Sequence, residues 1–139
     1  MENTKLRDND LLAQARRMIA AERARGCEPS LRRVAVLSVF SPAKSFYAGY
    51  MNLYRGASHF LAAQKDSHTD EADSCSASQA RIRTVALRCR DLMEKRGMSL
   101  SAALTVVLAG GAPRFYISIP YAMRIIGNAL RQPAAFRNV

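Results

Sequence analysis

Two short stretches of this sequence carry side chains suited to anionic oxygens and base edges. In the first, Lys44 and Tyr47 lie just ahead of Asn52 and Arg55. In the second, Arg114, Tyr116 and Ser118 lie just ahead of Tyr121 and Arg124. Cations neutralise phosphate, Tyr and Ser hydroxyls bond phosphate oxygens, and Arg and Asn match the edges of bases. Ser45 and Tyr50 extend the first set. Each stretch has a proline, a cation, a Phe-Tyr pair (Phe46-Tyr47 and Phe115-Tyr116) and an arginine eight residues after that Tyr. Chemistry beyond binding finds little support. Asp91 and Glu94 share a helix face but stand among arginines, where ion pairing is the ordinary role. Tyr116 beside Arg114 has the residue types of a strand-transfer nucleophile and its phosphate clamp, but such enzymes set several further basic and histidine groups in a larger catalytic domain. Ala109-Gly110-Gly111-Ala112 lacks the Lys-Ser/Thr of a phosphate loop.

The two stretches belong to a longer repeat. At one constant offset Arg25-Gly26 falls on Arg96-Gly97, Ser30 on Ser101, Val36-Leu37 on Val107-Leu108 and Pro42 on Pro113. A two-residue gap then brings Phe46-Tyr47 onto Phe115-Tyr116 and Arg55 onto Arg124. The chain therefore reads as one unit of about 55 residues written twice. A unit of that size buries only about 60% of its unfolded surface and is marginal alone, so two copies are expected to pack as a pseudo-dimer.

Charge narrows the partner. The net charge is +10, with seventeen arginines against four lysines. Asp66, Asp70, Glu71 and Asp73 crowd one short segment, and outside residues 65–79 the balance is 20 basic against 7 acidic residues. Such a field attracts polyanions, nucleic acid first and an anionic membrane surface second. The arginine bias favours forked contacts to phosphate and guanine over solubility alone. The membrane is disfavoured, because no helix sets Lys/Arg on one face against Trp or several Phe on the other. Cys27, Cys75 and Cys89 are odd in number and, with His59 and His68, have no metal-ligand spacing. Reduced thiols in a cytoplasm, no metal and no cofactor are expected; no signal peptide or membrane span is read.

These side chains must be positioned by helices. Trp is absent and Gly and Pro are sparse, which suits an all-α fold. Residues 1–9 are polar and expected to fray; Asp8 or Asp10 caps a first helix to about Arg25, with Gly26 as its left-handed stop. Ser30 caps a second, Leu31–Phe40, expected to be the most buried; a third runs from about Gly49 to Ala63. The second copy repeats this, with caps at Ser78, at Ser99 or Ser101, and at Ser118, and a last helix Ile119–Arg131 with Pro120 in its first turn. Residues 104–119 are rich in strand formers and leave a hairpin open as an alternative.

The Ala112-Pro113-Arg114-Phe115-Tyr116-x-Ser118 stretch, with an apolar helix before it and an Ala-x-Arg-Ile helix after it, resembles one that recurs in small bacterial helical proteins, some associated with mobile elements. The similarity covers Leu100 to Ile126 and implies a DNA-associated helical protein; the first copy departs from it at Lys44-Ser45 and Gly49.

The expectation is thus an all-α chain of two three-helix, helix-turn-helix-like units, residues 8–63 and 80–131, joined by an acidic, Ser-rich linker, 64–79. In that geometry the third helix enters the major groove of double-stranded DNA. The expected function is non-catalytic DNA binding by a monomeric pseudo-dimer or a homodimer. The rival is a basic adaptor that docks an acidic or nucleic-acid-associated protein partner.

Overall fold

A computed structural model describes residues 2–64 and 76–130; the linker segment 65–75 and the tail from residue 131, with His68 and Cys75, lie outside the described residues. The helices are α1 Glu2–Ala24, α2 Leu31–Val39, α3 Tyr50–Gln64, α4 Ala77–Arg96, α5 Leu100–Ala109 and α6 Ile119–Leu130. The fold is all-α. Residues 104–119 form the end of α5, a loop and the start of α6, so the hairpin does not form. The β pairing among the described residues is a single bridge, Ala43 with Ala112.

Local chemistry sets most helix ends. The side chains of Ser30 and Ser99 accept the N–H of Arg33 and Ala102 and start α2 and α5, each satisfying a donor that has no partner inside the helix. Ser118 Oγ likewise accepts from Tyr121 N at 3.2 Å. Gly26, at φ +81°, closes α1: the Cys27 N–H bonds Glu22 O and the Gly26 N–H bonds Arg23 O, both at 2.9 Å, satisfying two terminal carbonyls. Gly97, at φ +64°, stops α4.

Two local expectations are corrected. α1 starts at Glu2, well before Asp8 and Asp10, because Arg7 and Asp8 are held against Tyr121 (below) and this tertiary contact carries the helix through a polar segment. Ser76, not Ser78, caps α4, through a capping box with Gln79. α2 has the largest buried share of the described helices, as expected: Val34, Ala35, Ser38 and Val39 are buried and Val36 and Leu37 half-buried, while Arg32 and Arg33 are exposed and Phe40, just past its end, is 56% exposed.

The helix ends pair the two halves of the chain in a different register from the expected one, with the gap elsewhere. Ser99, not Ser101, matches Ser30 as a cap, and from there one offset pairs Ala43 with Ala112, Phe46 with Phe115, the starts of α3 and α6, and Arg55 with Arg124. The two extra residues sit in the Cys27-Glu28-Pro29 turn, where the second copy has only Met98. A length change costs little in a turn and much inside packed structure. Pro42 and Pro113 are therefore not equivalent. Phe46 and Phe115 are, and both are buried, 3% and 2% exposed.

The copies do not coincide with the compact units. One unit lies within Met1–Ala43 and Ala112–Val139, the other within Lys44–Gly111. In the first, α1, α2 and α6 pack on one another; in the second, α3, α4 and α5 do. Each unit thus takes two helices from one copy and the third from the other. The crossover is fastened where it occurs: Ala43 N donates to Ala112 O and Ala112 N to Ala43 O, both at 2.9 Å, and Phe115 N donates to Val39 O at 2.8 Å. Leu11, Ala15, Val34, Val39, Phe115 and Ile126 anchor the first core, and Phe46, Leu53, Val85, Cys89 and Leu104 the second. In the second unit α3 approaches α4 closely at Gly56, where a Cβ would come within 2.8 Å of Ile82 Cδ1.

This exchange is testable by truncation. Residues 1–64 contain one whole sequence copy but only two of the first unit's three helices. Expressed alone, they are expected to lose cooperative urea unfolding as a monomer, or to recover it only as a dimer. Circular dichroism with analytical ultracentrifugation distinguishes these from a folded monomer, which would mean that a copy closes on itself.

Candidate nucleic-acid interface

The nine candidate residues fall into the two units by the crossover. Arg114, Tyr116, Ser118, Tyr121 and Arg124 belong to the first unit; Lys44, Tyr47, Asn52 and Arg55 belong to the second.

In the first unit the loop 112–118 is built around Arg114. Its Nε donates to Phe115 O at 3.1 Å and its Nη2 to Ile117 O at 3.4 Å. The guanidinium carbon lies 4.6 Å from the Phe40 ring centre and 5.2 Å from that of Tyr116, distances at which a cation is attracted to a ring face. Tyr116 is only 8% exposed, its ring packed in the core. Ser118 is exposed and its Oγ caps α6. On α6, Tyr121 joins a cluster with α1. Its hydroxyl accepts from Arg7 Nη2 at 2.9 Å and donates to Asp8 Oδ2 at 3.2 Å. Arg7 and Arg124 each hold their guanidinium carbon 5.0 Å from the Tyr121 ring centre. Arg124 is exposed, so α6 presents one arginine outward, steadied on an aromatic ring.

In the second unit Lys44, Asn52 and Arg55 are exposed and Tyr47 is half-buried. Tyr47 has φ +53°, a left-handed conformation that a bulky side chain adopts at a cost. Ser45 Oγ accepts its N–H at 3.0 Å, and Arg81 Nη1 donates to Phe46 O and Tyr47 O at 3.3 and 3.4 Å. Tyr47 therefore acts in the turn that precedes α3. Arg88 lies 5.7 Å from the Phe46 ring centre and donates to Gly111 O at 3.3 Å.

Beside protein-family models, curated proteins and solved structures, the chain matches none. Its site must be read from its own residues.

Much of the arginine is structural. Besides Arg7, Arg81, Arg88 and Arg114, Arg33 and Arg25 pair with Glu22, and Arg23 pairs with Glu28 at 3.0 Å. By contrast Arg32, Arg55 and Arg96 are exposed and bond no acid or carbonyl among the described residues. Arg32, Arg96 and Phe40 stood outside the sequence-derived set. Arg32 and Arg96 lacked the Phe-Tyr neighbourhood that drew attention to the others, and Phe40 carries no charge. No group of three metal-ligating side chains occurs among the described residues. Cys27 is exposed and Cys89 buried, with burial raising the Cys89 thiol pKa. No described helix is long and apolar enough to cross a membrane.

The acid that holds the first unit's arginines is Glu22, only 2% exposed. It accepts from Arg33 Nε and, at 2.6 Å, from Arg25 Nη2. Hydrogen bonds from Arg33 and then Arg25 hold its carboxyl below the ordinary value of 4.5. Because the folded pKa is depressed, the stabilisation is present above about pH 4.5 and is lost as pH falls through the folded value. Glu22→Gln is expected to lower the urea midpoint at pH 7. The difference from the unaltered protein should shrink progressively below pH 4.5, in urea titrations run across pH.

Proposed function

We propose that this protein binds double-stranded DNA without catalysis, each unit acting as a helix-turn-helix-like tri-helical module whose third helix, α6 or α3, comes from the other sequence copy. The observation that carries the reading is a shared register: Arg55 on α3 and Arg124 on α6 occupy the same position of the repeat, and both are exposed. The charge around them points the same way. The described residues of the first unit carry ten basic and five acidic side chains, and those of the second carry eight and two. The acids Asp8, Glu22, Glu28 and Asp91 are already engaged by Arg7, Arg25, Arg33, Arg23 and Lys95. The excess positive charge is therefore uncompensated within each unit, as a phosphate-tracking surface requires. The two units then work as a covalent pseudo-dimer in the cytoplasm.

A second reading has its own support. Leu61 and Ala62 of α3, Met93 of α4 and Leu100 of α5 line a groove of about 560 Å³ in the second unit, with Arg90 and Glu94 beside them. In a unit of this charge, the groove suits an acidic segment of a partner protein with apolar anchors.

Fluorescence anisotropy with a mixed-sequence duplex decides between them. Binding at low salt should weaken steeply as salt rises. The slope of log K against log salt should become shallower by about 0.9 for each phosphate contact removed, hence by nearly two in the Arg55→Ala/Arg124→Ala double variant. Absence of duplex binding at low salt ends the DNA reading and leaves the acidic partner. An unchanged slope in the double variant would remove α3 and α6 from the interface.

A further inference from the structure

Phe40 is the one large aromatic residue that the described core leaves mostly outside: it is 56% exposed, whereas Phe46 and Phe115 are buried. Its position is nonetheless fixed. Its N–H closes the end of α2 on Val36 O at 3.2 Å, and the next residue, Ser41, donates its hydroxyl to Leu37 O at 2.6 Å. The preceding residue, Val39, accepts the Phe115 N–H. Arg114, pinned by two loop carbonyls, lies against the ring. One guanidinium thus touches both a buried ring, Tyr116, and an exposed one, Phe40. The result is an exposed aromatic ring with a positive charge held against it. The second unit has no counterpart, since the equivalent positions are Ala109 and Ser45.

We propose that Phe40, backed by Arg114, is a stacking platform for an unpaired nucleotide base. The proposal rests on the nucleic-acid reading above and extends it from duplex phosphates to exposed bases. Chemistry selects this occupant from the alternatives. A cationic ligand would be repelled by the guanidinium beneath the ring. A lipid chain needs several adjoining exposed apolar groups, whereas the helical neighbours of Phe40, Val36 and Leu37, are half-buried and the exposed residues further along α2 are Arg32 and Arg33. A base offers a π face to Phe40 while its phosphates answer the positive charge of the unit, and such stacking tolerates any base identity.

The test compares three probes by anisotropy at low salt: a short oligothymidine, an abasic oligomer of the same length, and a duplex. The oligothymidine should bind more tightly than the abasic oligomer, and Phe40→Ala should weaken oligothymidine binding by about 5- to 30-fold. That variant should leave the abasic oligomer and the duplex unaffected. Because the chain contains no Trp, Phe40→Trp adds a unique fluorophore. It should retain affinity, and its emission should be quenched by oligothymidine and not by the abasic oligomer. Equal binding of oligothymidine by Phe40→Ala and the unaltered protein overturns the proposal, as does equal loss on all three probes. A loss confined to the duplex would mean a wedge between paired bases and overturns it too. Duplex binding with no Phe40 effect defeats the platform alone; binding of none of the probes defeats the nucleic-acid reading with it.

Discussion

The structure depends on a reciprocal pair of backbone hydrogen bonds between Ala43 and Ala112. Two such bonds contribute only about 0.5–1.5 kcal/mol each, so their importance is positional. They join the two points at which the chain passes from one compact unit to the other, and these are equivalent points of the repeat. Alanine stands at both positions and is buried in both cases, a small side chain that the packed surroundings of the bridge accommodate. Phe46 and Phe115 follow at the same spacing and plug the two cores. With the crossover placed in this way, α3 packs with α4 and α5, and α6 with α1 and α2. Each unit therefore draws its helices from both halves of the chain.

Within that shared plan the two units differ along a polar–apolar axis. The first unit places Glu22 near the end of α1, buried and clamped by Arg33 from α2 and by Arg25. A buried carboxylate is tolerable only when its acceptors are filled, and here two guanidinium groups fill them. The equivalent residue of α4 is Met93, which lines the open groove of the second unit. In the first unit α6 instead comes close to α2 at Gly127, where a Cβ would stand 3.3 Å from Leu31 Cδ2; the equivalent residue of α3 is Ser58, on the groove wall. The first unit closes this region with a glycine approach and an ion cluster, and the second leaves it open with a flexible thioether.

What the sequence could reveal follows from which interactions are local. Capping and left-handed stops act over a few residues, so Gly26, Ser30, Gly97 and Ser118 were readable as helix ends, and helical periodicity made the class evident. The start of α1 was not readable, because it depends on Tyr121, more than a hundred residues away. Periodicity identifies which face of a helix is apolar but not which partner covers it, and so the exchange of third helices left no trace in the pattern. The misplaced gap had a related cause. Matching Pro42 to Pro113 favoured identical letters over the cap serines, which are the residues with equivalent hydrogen bonds. At the site, adjacency to the Phe-Tyr pair drew attention to Arg114 and Tyr116. Adjacency to a buried phenylalanine instead drew both into the loop's own packing.

Arginine content is therefore a poor measure of binding surface in this chain. Guanidinium is planar, weakly hydrated and a five-donor fork, and those properties serve internal carbonyls and rings as well as phosphates. Arg81 and Arg114 show the internal use, each bonding two carbonyls of the loop before a third helix. Arg88 and Arg7 add ring contacts to the same role. Lysine could not replace these, since a point charge cannot bond two divergent carbonyls and lie flat against a ring at once. The arginine bias thus has a structural cause independent of any ligand. The case for a polyanion rests on the subset the fold does not consume, Arg32, Arg55 and Arg96, and on Arg124, whose only partner among the described residues is the ring of Tyr121. Two of these four share one position of the repeat, on the helices that the copies exchange. A surface arginine kept at the same place on both exchanged helices, without an internal bond at either, is the feature of this structure that packing does not explain.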